Sequence, residues 1–342
     1  MTGAPRGYLM REGWTPVESW VSDQMQRFVR RRPSARPAVF SDTTNFMAID
    51  RDAVIELHGD LYLVTCTEQE RRFGLEGEPK FWVKRALDLD TGRAYILKLV
   101  FNEVFIVHLG TSEFRCMRSP EKESRVLDVA RGDGRFMQGR TVRDTRGNCV
   151  RLIEFIHGID LLSRLSSLSV PHEEYFYTQF PALLGSILGS FAAIRMLHDA
   201  GLCHGDIRND HILIDHASAR LRWIDFDLET DREYDVWALG NVLHCLVAKG
   251  FVTFREVLRD RPDLAGRLST DDASVFMPNR VMNLRKVYPY LPAKLNDVLM
   301  RFAEGAPAAR YEAVHQLIDD VGDCLGDLEA NVADGSMAAA SA

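Results

Sequence analysis

His204-Gly205-Asp206-Ile207-Arg208-Asn209-Asp210-His211, followed by the apolar run Ile212-Leu213-Ile214, is the stretch on which the reading of this chain turns. A second acidic group arrives shortly after it, in Trp223-Ile224-Asp225-Phe226-Asp227. Both carboxylate groups sit at the ends or turns of apolar segments. Uncompensated charge is costly in such places, whereas a substrate or a divalent cation would make use of it. Taken singly, Asp206 and Asp225 also suit a plain turn, because Asp side chains bond nearby backbone.

Working outward, the apolar pattern changes its period. Phe180, Leu183, Leu184, Ile187, Leu188, Phe191, Ile194 and Leu197 recur at helical spacing and predict a helix over 180–197 with one broad apolar face. Residues 235–247, 295–302 and 311–325 read as further helices, with 212–214 and 221–224 as short strands. Upstream the chain is strand-like. Residues 53–57 and 61–65 flank His58-Gly59-Asp60, and 80–86 and 93–100 flank a turn that ends in Asp90-Thr91-Gly92. Residues 150–156 read as another strand of the same sheet. Between them, Ser119-Pro120-Glu121-Lys122-Glu123 opens a helix through Ala130, with Ser119 as N-cap and Pro120 at the first helical position. The expected fold class is α+β and bilobal: an antiparallel, sheet-rich small lobe followed by a helical large lobe. Residues 1–50 read as a helical extension and linker, 51–156 and 157–330 as the two lobes, and 331–342 as a flexible tail.

In this order the motifs resemble the protein-kinase-like superfamily, with features of both protein kinases and its aminoglycoside- and choline-kinase-type branch. His204-Gly205-Asp206 matches the catalytic loop and Asp225-Phe226-Asp227 the metal-binding Asp-Phe-Gly segment. Tyr95-Ile96-Leu97-Lys98 is similar to the strand carrying the phosphate-binding lysine, and Glu123-Ser124-Arg125-Val126-Leu127 to the helix supplying its glutamate partner. Residues 152–162, with Gly158 and Asp160, resemble the last small-lobe strand and hinge. Asp235-Val236-Trp237-Ala238-Leu239-Gly240 resembles the helix whose Asp steadies the catalytic loop, and Arg310 falls near a conserved carboxy-terminal arginine of the family. The resemblance implies ATP as cofactor with Mg2+ or Mn2+. Lys98 would meet the nucleotide phosphates, oriented by Glu123. Asp225 would hold the cation, Asp206 would align the acceptor hydroxyl or take its proton, and His204 would brace the loop. Backbone from Glu154 to Ile156 would receive the adenine edge, and Asp160 would reach the ribose.

Three departures qualify the match. Where the family places Asn, five residues after the catalytic Asp, this chain has His211; an imidazole still binds a divalent ion but favours borderline metals over Mg2+. The connection 67–80, expected to cover the phosphates, has only Gly74 and Gly77, and carries Glu68, Glu70, Glu76 and Glu78. A close backbone cradle depends on glycines. The interval from Asp225 to Asp235 spans only ten positions, too short for a long peptide-docking segment, and Thr230 is its lone hydroxyl residue.

The leading function is therefore ATP-dependent phosphoryl transfer to an unidentified hydroxyl acceptor, a small molecule or a protein. His211 and the glycine-poor connection favour the alternative, a nucleotide-binding pseudokinase or regulatory module. Nucleotidyl transfer on the same fold is a third option. Composition narrows the partners. The 342 residues hold 42 Lys plus Arg against 49 Asp plus Glu, a net charge of -7, which argues against a nucleic-acid coat. Segment 180–197 is interrupted by Gly185, Ser186, Gly189, Ser190 and Arg195 and is not expected to span a membrane. Residues 1–10 carry no hydrophobic signal core. The six cysteines form no CxxC pair, and a reduced, cytoplasmic setting is the simple expectation. Residues 16–32 carry a weak helical pattern, and the Arg30-Arg31-Arg32 run with Arg36 reads as a solvated linker, with docking of a protein partner through this extension as the functional option.

Overall fold

Thr15 starts the first helix with a reciprocal cap: its hydroxyl accepts from the Glu18 N–H, and the Glu18 carboxylate accepts from the Thr15 N–H. The computed structural model describes residues 11–69, 77–109, 112–306 and 308–333. Along them the chain forms α1 (Pro16–Val29), β1 (Val39–Phe40), β2 (Val54–Leu57), β3 (Asp60–Gln69), β4 (Pro79–Asp88), β5 (Ala94–Lys98), β6 (Glu103–Leu109), β7 (Ser112–Arg118), α2 (Pro120–Val129), β8 (Gly139–Arg143) and β9 (Cys149–Glu154). It continues through β10 (Gly158–Asp160), α3 (Leu161–Ser166), α4 (His172–Thr178), α5 (Phe180–Asp199), β11 (Ile212–Asp215), β12 (Leu221–Trp223) and β13 (Leu228–Glu229). The rest is helical: α6 (Arg232–Val247), α7 (Phe254–Asp260), α8 (Leu284–Val287), α9 (Ala293–Met300) and α10 (Val314–Ala333). Residues 331–333 of the segment read as a tail thus continue α10, and 334–342 lie outside the described residues, as do 1–10.

The chain divides into two compact units. The first holds a seven-stranded sheet in the order β1-β2-β3-β4-β5-β9-β8, antiparallel except for the parallel β1–β2 pair. Side chains alternate faces along a strand, so Ile55, Tyr62, Val64, Leu97, Leu99, Val150 and Leu152 share one apolar core. Val54 and Leu63, one position out of phase, form a second cluster with Trp20, Val21 and Met25 of α1. The amino-terminal helix is thereby part of this unit, and Arg31 of the basic run pairs with Asp52 while Arg36 pairs with Glu18.

The second unit is mainly helical and carries two small sheets, β10-β11-β12 and β13-β7-β6. The α+β class expected from the motifs, a sheet-rich unit and a helix-rich one, is the class observed. Residues 103–109 and 112–118, which carried no strand prediction, form the paired strands β6 and β7 and belong to the second unit, although they lie in sequence between β5 and α2 of the first. Among the described residues α5 alone is long and apolar enough to cross a membrane. It is built as a core helix, burying Phe180, Leu184, Ile187, Phe191 and Ile194 and packing against α6 and α10. All six cysteines are free thiols.

Two buried histidines are expected to make the second unit acid-sensitive. His172 stacks on Tyr288 with ring centroids 3.6 Å apart, donates from Nε2 to the Val247 carbonyl and accepts at Nδ1 from the Tyr290 hydroxyl. Burial holds its pKa down to about 4, and burial with the nearby Arg280 holds His244 down to about 3. Unfolded, both rings titrate near an ordinary histidine value of about 6.5. Below that pH the unfolded chain binds the extra protons, so stability is full above about 6.5 and falls as the pH drops towards 4. The expected loss approaches about 1.4 kcal/mol per pH unit for each ring. Thermal melts from pH 7 to pH 4 test this: the melting temperature should decline steadily through the window, and a flat profile refutes it.

Candidate functional site

In the first unit, Lys98 and Arg151 are register partners on β5 and β9. Leu97 and Leu99, like Val150 and Leu152, point into the core, so alternation places both cations on the opposite face, the one covered by α2. The helix is set by the Ser119 cap, whose hydroxyl accepts from the Lys122 N–H, with Pro120 opening it as the sequence predicts. That start brings Glu123 inward. Its Oε1 lies 2.7 Å from Lys98 Nζ and its Oε2 3.2 Å from Arg151 Nε, with all three side chains buried. These three groups carry one net positive charge among themselves. The Lys98–Glu123 partnership expected from the motif is present, and Arg151 joins it as a second cation.

Beyond β9, the Glu154 N–H donates to the Gln138 carbonyl at 2.9 Å and the Phe155 N–H to the Ala94 carbonyl at 3.2 Å. Of the residues proposed for an adenine edge, Glu154 therefore has its amide committed within the unit. The Ile156 peptide group has no such bond among the described residues. Of the connection 67–80, Glu70, Gly74 and Glu76 lie outside the described residues, while Glu68 pairs with Arg85 at 2.8 Å.

In the second unit, Gly158 opens β10 where a Cβ would lie 2.4 Å from the Ile214 carbonyl oxygen. Asp160 at its end caps α3, accepting from the Ser163 N–H and hydroxyl, each at 2.7 Å. The loop carrying Asp206 is held from below by Asp235 of α6, fully buried, which accepts from the His204 N–H at 2.6 Å, the Gly205 N–H at 2.8 Å and His198 Nε2 at 3.0 Å. His204 is buried against Trp223 and Phe226, with centroids 5.1 and 4.5 Å away, and its Nδ1 accepts from the Asp206 N–H at 3.3 Å. These contacts brace the loop.

His211 points back into the same loop. Its Nδ1 lies 2.7 Å from the Asp206 carbonyl oxygen and must donate to it. In the neutral ring that bond leaves the lone pair on Nε2, which faces Asp225 Oδ2 at 3.6 Å. Asp225 itself adopts φ 67°, a left-handed conformation uncommon for a residue with a side chain. Asp206 Oδ2 lies 3.8 Å from His211 Nδ1 and 3.8 Å from Arg208 Nη1. The neighbouring Asp210 is clamped by the Arg208 guanidinium. Burial alone would raise the Asp210 carboxyl, but the Arg208 guanidinium bonded to it outweighs burial and leaves the pKa below the usual range. Among the described residues no group of three His, Cys, Asp or Glu side chains is gathered as a ready metal cage; His211 and Asp225 form a pair.

Two site neighbours escaped the sequence reading. Arg151 is the lone cation among the apolar residues Val150, Leu152 and Ile153, a signal that was available. Arg118 reaches Asp227 at 2.5 Å, and the pairing of β7 with β13 sets that contact across more than a hundred residues, which no local pattern reveals. Arg310, near the family's carboxy-terminal arginine in motif order, is exposed and has no ion pair among the described residues. Its segment is irregular coil ahead of α10, and it is Arg301 that stacks on Tyr311, 4.6 Å from the ring centroid.

No family model matches the chain. Residues of the chain are 24% identical over 155 positions to the Caenorhabditis elegans protein named "Putative ribosomal protein S6 kinase alpha-2", covering 45% of this chain and 18% of that one. They are 25% identical over 153 positions to death-associated protein kinase dapk-1 of the same organism, covering 44% of this chain and 10% of that one. The chain thus matches only a small part of either curated relative. Among solved structures, the PknI kinase domain of Mycobacterium tuberculosis is similar at 16% identity and a TM-score of 0.43, over 78% of this chain and 97% of that one.

Proposed function

We propose that the protein transfers a phosphoryl group from ATP to a hydroxyl acceptor. The observation that carries this reading is the left-handed Asp225 facing the lone-pair nitrogen of His211. A carboxylate and an imidazole nitrogen turned towards one another are bridged by a proton or by a cation, and strained conformations concentrate at functional sites. Imidazole and carboxylate together suit Mn2+ or a similar divalent ion better than they suit Mg2+. A bound ion would screen the phosphate charges and stabilise the charge that develops during transfer. The chain's own groups do the rest. Lys98, held by Glu123, supplies a point charge for the phosphates, and the net positive character of the Lys98–Glu123–Arg151 group suits a polyphosphate. Asp206, fixed from below by Asp235 and His204, aligns the acceptor hydroxyl and accepts its proton. The Ile156 peptide is the better placed candidate for the adenine edge. The short Asp225–Asp235 interval favours a compact acceptor, in keeping with the aminoglycoside- and choline-kinase-type features.

The test is incubation of the full chain with γ-labelled ATP, Mg2+ or Mn2+, and three acceptor classes: a small alcohol, an amino sugar and a protein hydroxyl. Label should pass to one class, and Asp206→Ala should lower the rate by about 10²-fold or more. Label carried over from α-labelled ATP would instead identify nucleotidyl transfer. The substitution of His211 for the family's Asn favours a second reading, a nucleotide-binding regulatory module. Saturable ATP binding with neither transfer nor hydrolysis would establish it.

A further inference from the structure

We propose that Arg118 is a positioning residue for the Asp225 loop: by pairing with Asp227 it keeps that second carboxylate from competing with Asp225 for a cation. The inference rests on the reading of Asp225 given above. The loop places two carboxylates on either side of Phe226, Asp225 partly exposed and Asp227 deeply set. Asp227 is 2% exposed, and a carboxylate in such surroundings is costly unless it is paired. The side chain of Arg118, 10% exposed, supplies the pairing, with Nη1 2.5 Å from Asp227 Oδ1. The other edge of the guanidinium is held by Glu103, the register partner of Arg118 in the hairpin, at 3.5 Å.

The main chain reinforces the contact. Arg118 and Met117 of β7 pair with Leu228 and Glu229 of β13, the residues that directly follow Asp227. Side chain and backbone of one residue thereby grip consecutive positions of the loop. The grip extends to the Asp206 loop, because Gly205, at φ 87°, lies so close to Leu228 that a Cβ there would be 1.8 Å from its carbonyl oxygen. Phe114 of the same hairpin anchors it on Tyr234 and Phe276, with centroids 5.3 and 5.6 Å away. A left-handed Asp225 persists only where its surroundings over-determine it, and the hairpin supplies such a surrounding.

A merely structural ion pair and a charge-reserving one predict different outcomes. If the pair only holds shape, either single variant should lower stability and transfer together, and Mn2+ binding should still depend on Asp225 in the Arg118→Gln background. If Arg118 neutralises a competing carboxylate, Arg118→Gln should lower transfer by about 10- to 100-fold, a typical cost for a group that supports a metal ligand. Asp227→Asn should then stay within about 3-fold of the parent, and the double variant should recover to within about 10-fold, since it removes the competitor as well as its partner.

A second readout does not need turnover. Mn2+ binding to the full chain, followed by electron paramagnetic resonance of the free ion, should be lost in Asp225→Asn. In an Arg118→Gln background it should survive Asp225→Asn, because Asp227 then takes the ion. If Mn2+ binding to the parent is indifferent to Asp225→Asn, the reading of Asp225 as cation ligand fails. If the parent depends on Asp225 but the Arg118→Gln and Asp225→Asn combination loses binding too, the role given to Arg118 fails. Should Arg118→Gln alone not fold, the double variant with Asp227→Asn decides: recovery to within about 10-fold supports the role, and inactivity in a folded double variant overturns it.

Discussion

Asp225→Asn will lower phosphoryl transfer by about 10³-fold while leaving the protein folded, since a bound ion contributes several kcal/mol to the transition state and each 1.36 kcal/mol is about tenfold in rate. The substitution is chosen for its shape. Asn tolerates the left-handed region almost as Asp does, so the φ of 67° at this position is no obstacle, and only the charge is removed. Asp225→Gly separates the two effects further. It should be equally inactive and yet melt no lower than Asp225→Asn, because glycine removes a left-handed penalty of about 1–2 kcal/mol and costs about 1 kcal/mol or less in chain entropy. Rates would be read with labelled ATP and stability by thermal melting. Retention of more than a tenth of the parent rate in a folded Asp225→Asn protein would remove the proposed role.

The candidate residues of each unit that were legible in the sequence are those placed by local rules. Ser119-Pro120 marks a helix start by capping chemistry alone, and the start in turn fixes the register that sends Glu123 inward. The alternation through 93–100 separates Lys98 from Leu97 and Leu99 before any partner strand is known. The loop around Asp206 shows itself because acidic residues directly precede an apolar strand. What stayed hidden depends on partners far away in the chain. In β6 and β7 apolar residues fall on both faces, with Val104 and Ile106 exposed and Phe105 and Phe114 partly buried, so the period-two pattern is blurred and its interruption by Glu103, His108, Arg115 and Arg118 reads as loop. The two-residue β13 is too short to carry a pattern at all; it is a strand because β7 lies beside it. The short interval after Asp225 looked like a lost docking segment. It is held in place by a hairpin inserted before α2, a pairing that explains how so few residues adopt one conformation.

The same dependence on partners sets the largest expected loss of stability, at Glu123. This carboxylate is fully buried and accepts from both Lys98 and Arg151, which face each other across β5 and β9 as direct register partners. Like charges directly opposite in a sheet repel, and here they do so out of contact with water. Glu123→Ala therefore removes more than two hydrogen bonds: it leaves two buried cations without the charge that held them together. Breaking a buried pair by deleting one partner costs about 3–5 kcal/mol, and the urea midpoint should fall accordingly. Glu123→Gln, which keeps the volume but not the charge, should still lose most of that amount. Adding Arg151→Met to Glu123→Gln should restore part of it by removing the second cation and leaving an apolar side chain in its place. The order of stability should be parent, then the Glu123→Gln and Arg151→Met combination, then Glu123→Gln, then Glu123→Ala. If Glu123→Ala unfolds within about 1 kcal/mol of the parent, the value usual for an exposed pair, the three charges are not coupled in the way their distances imply, and Lys98 loses the support assigned to it.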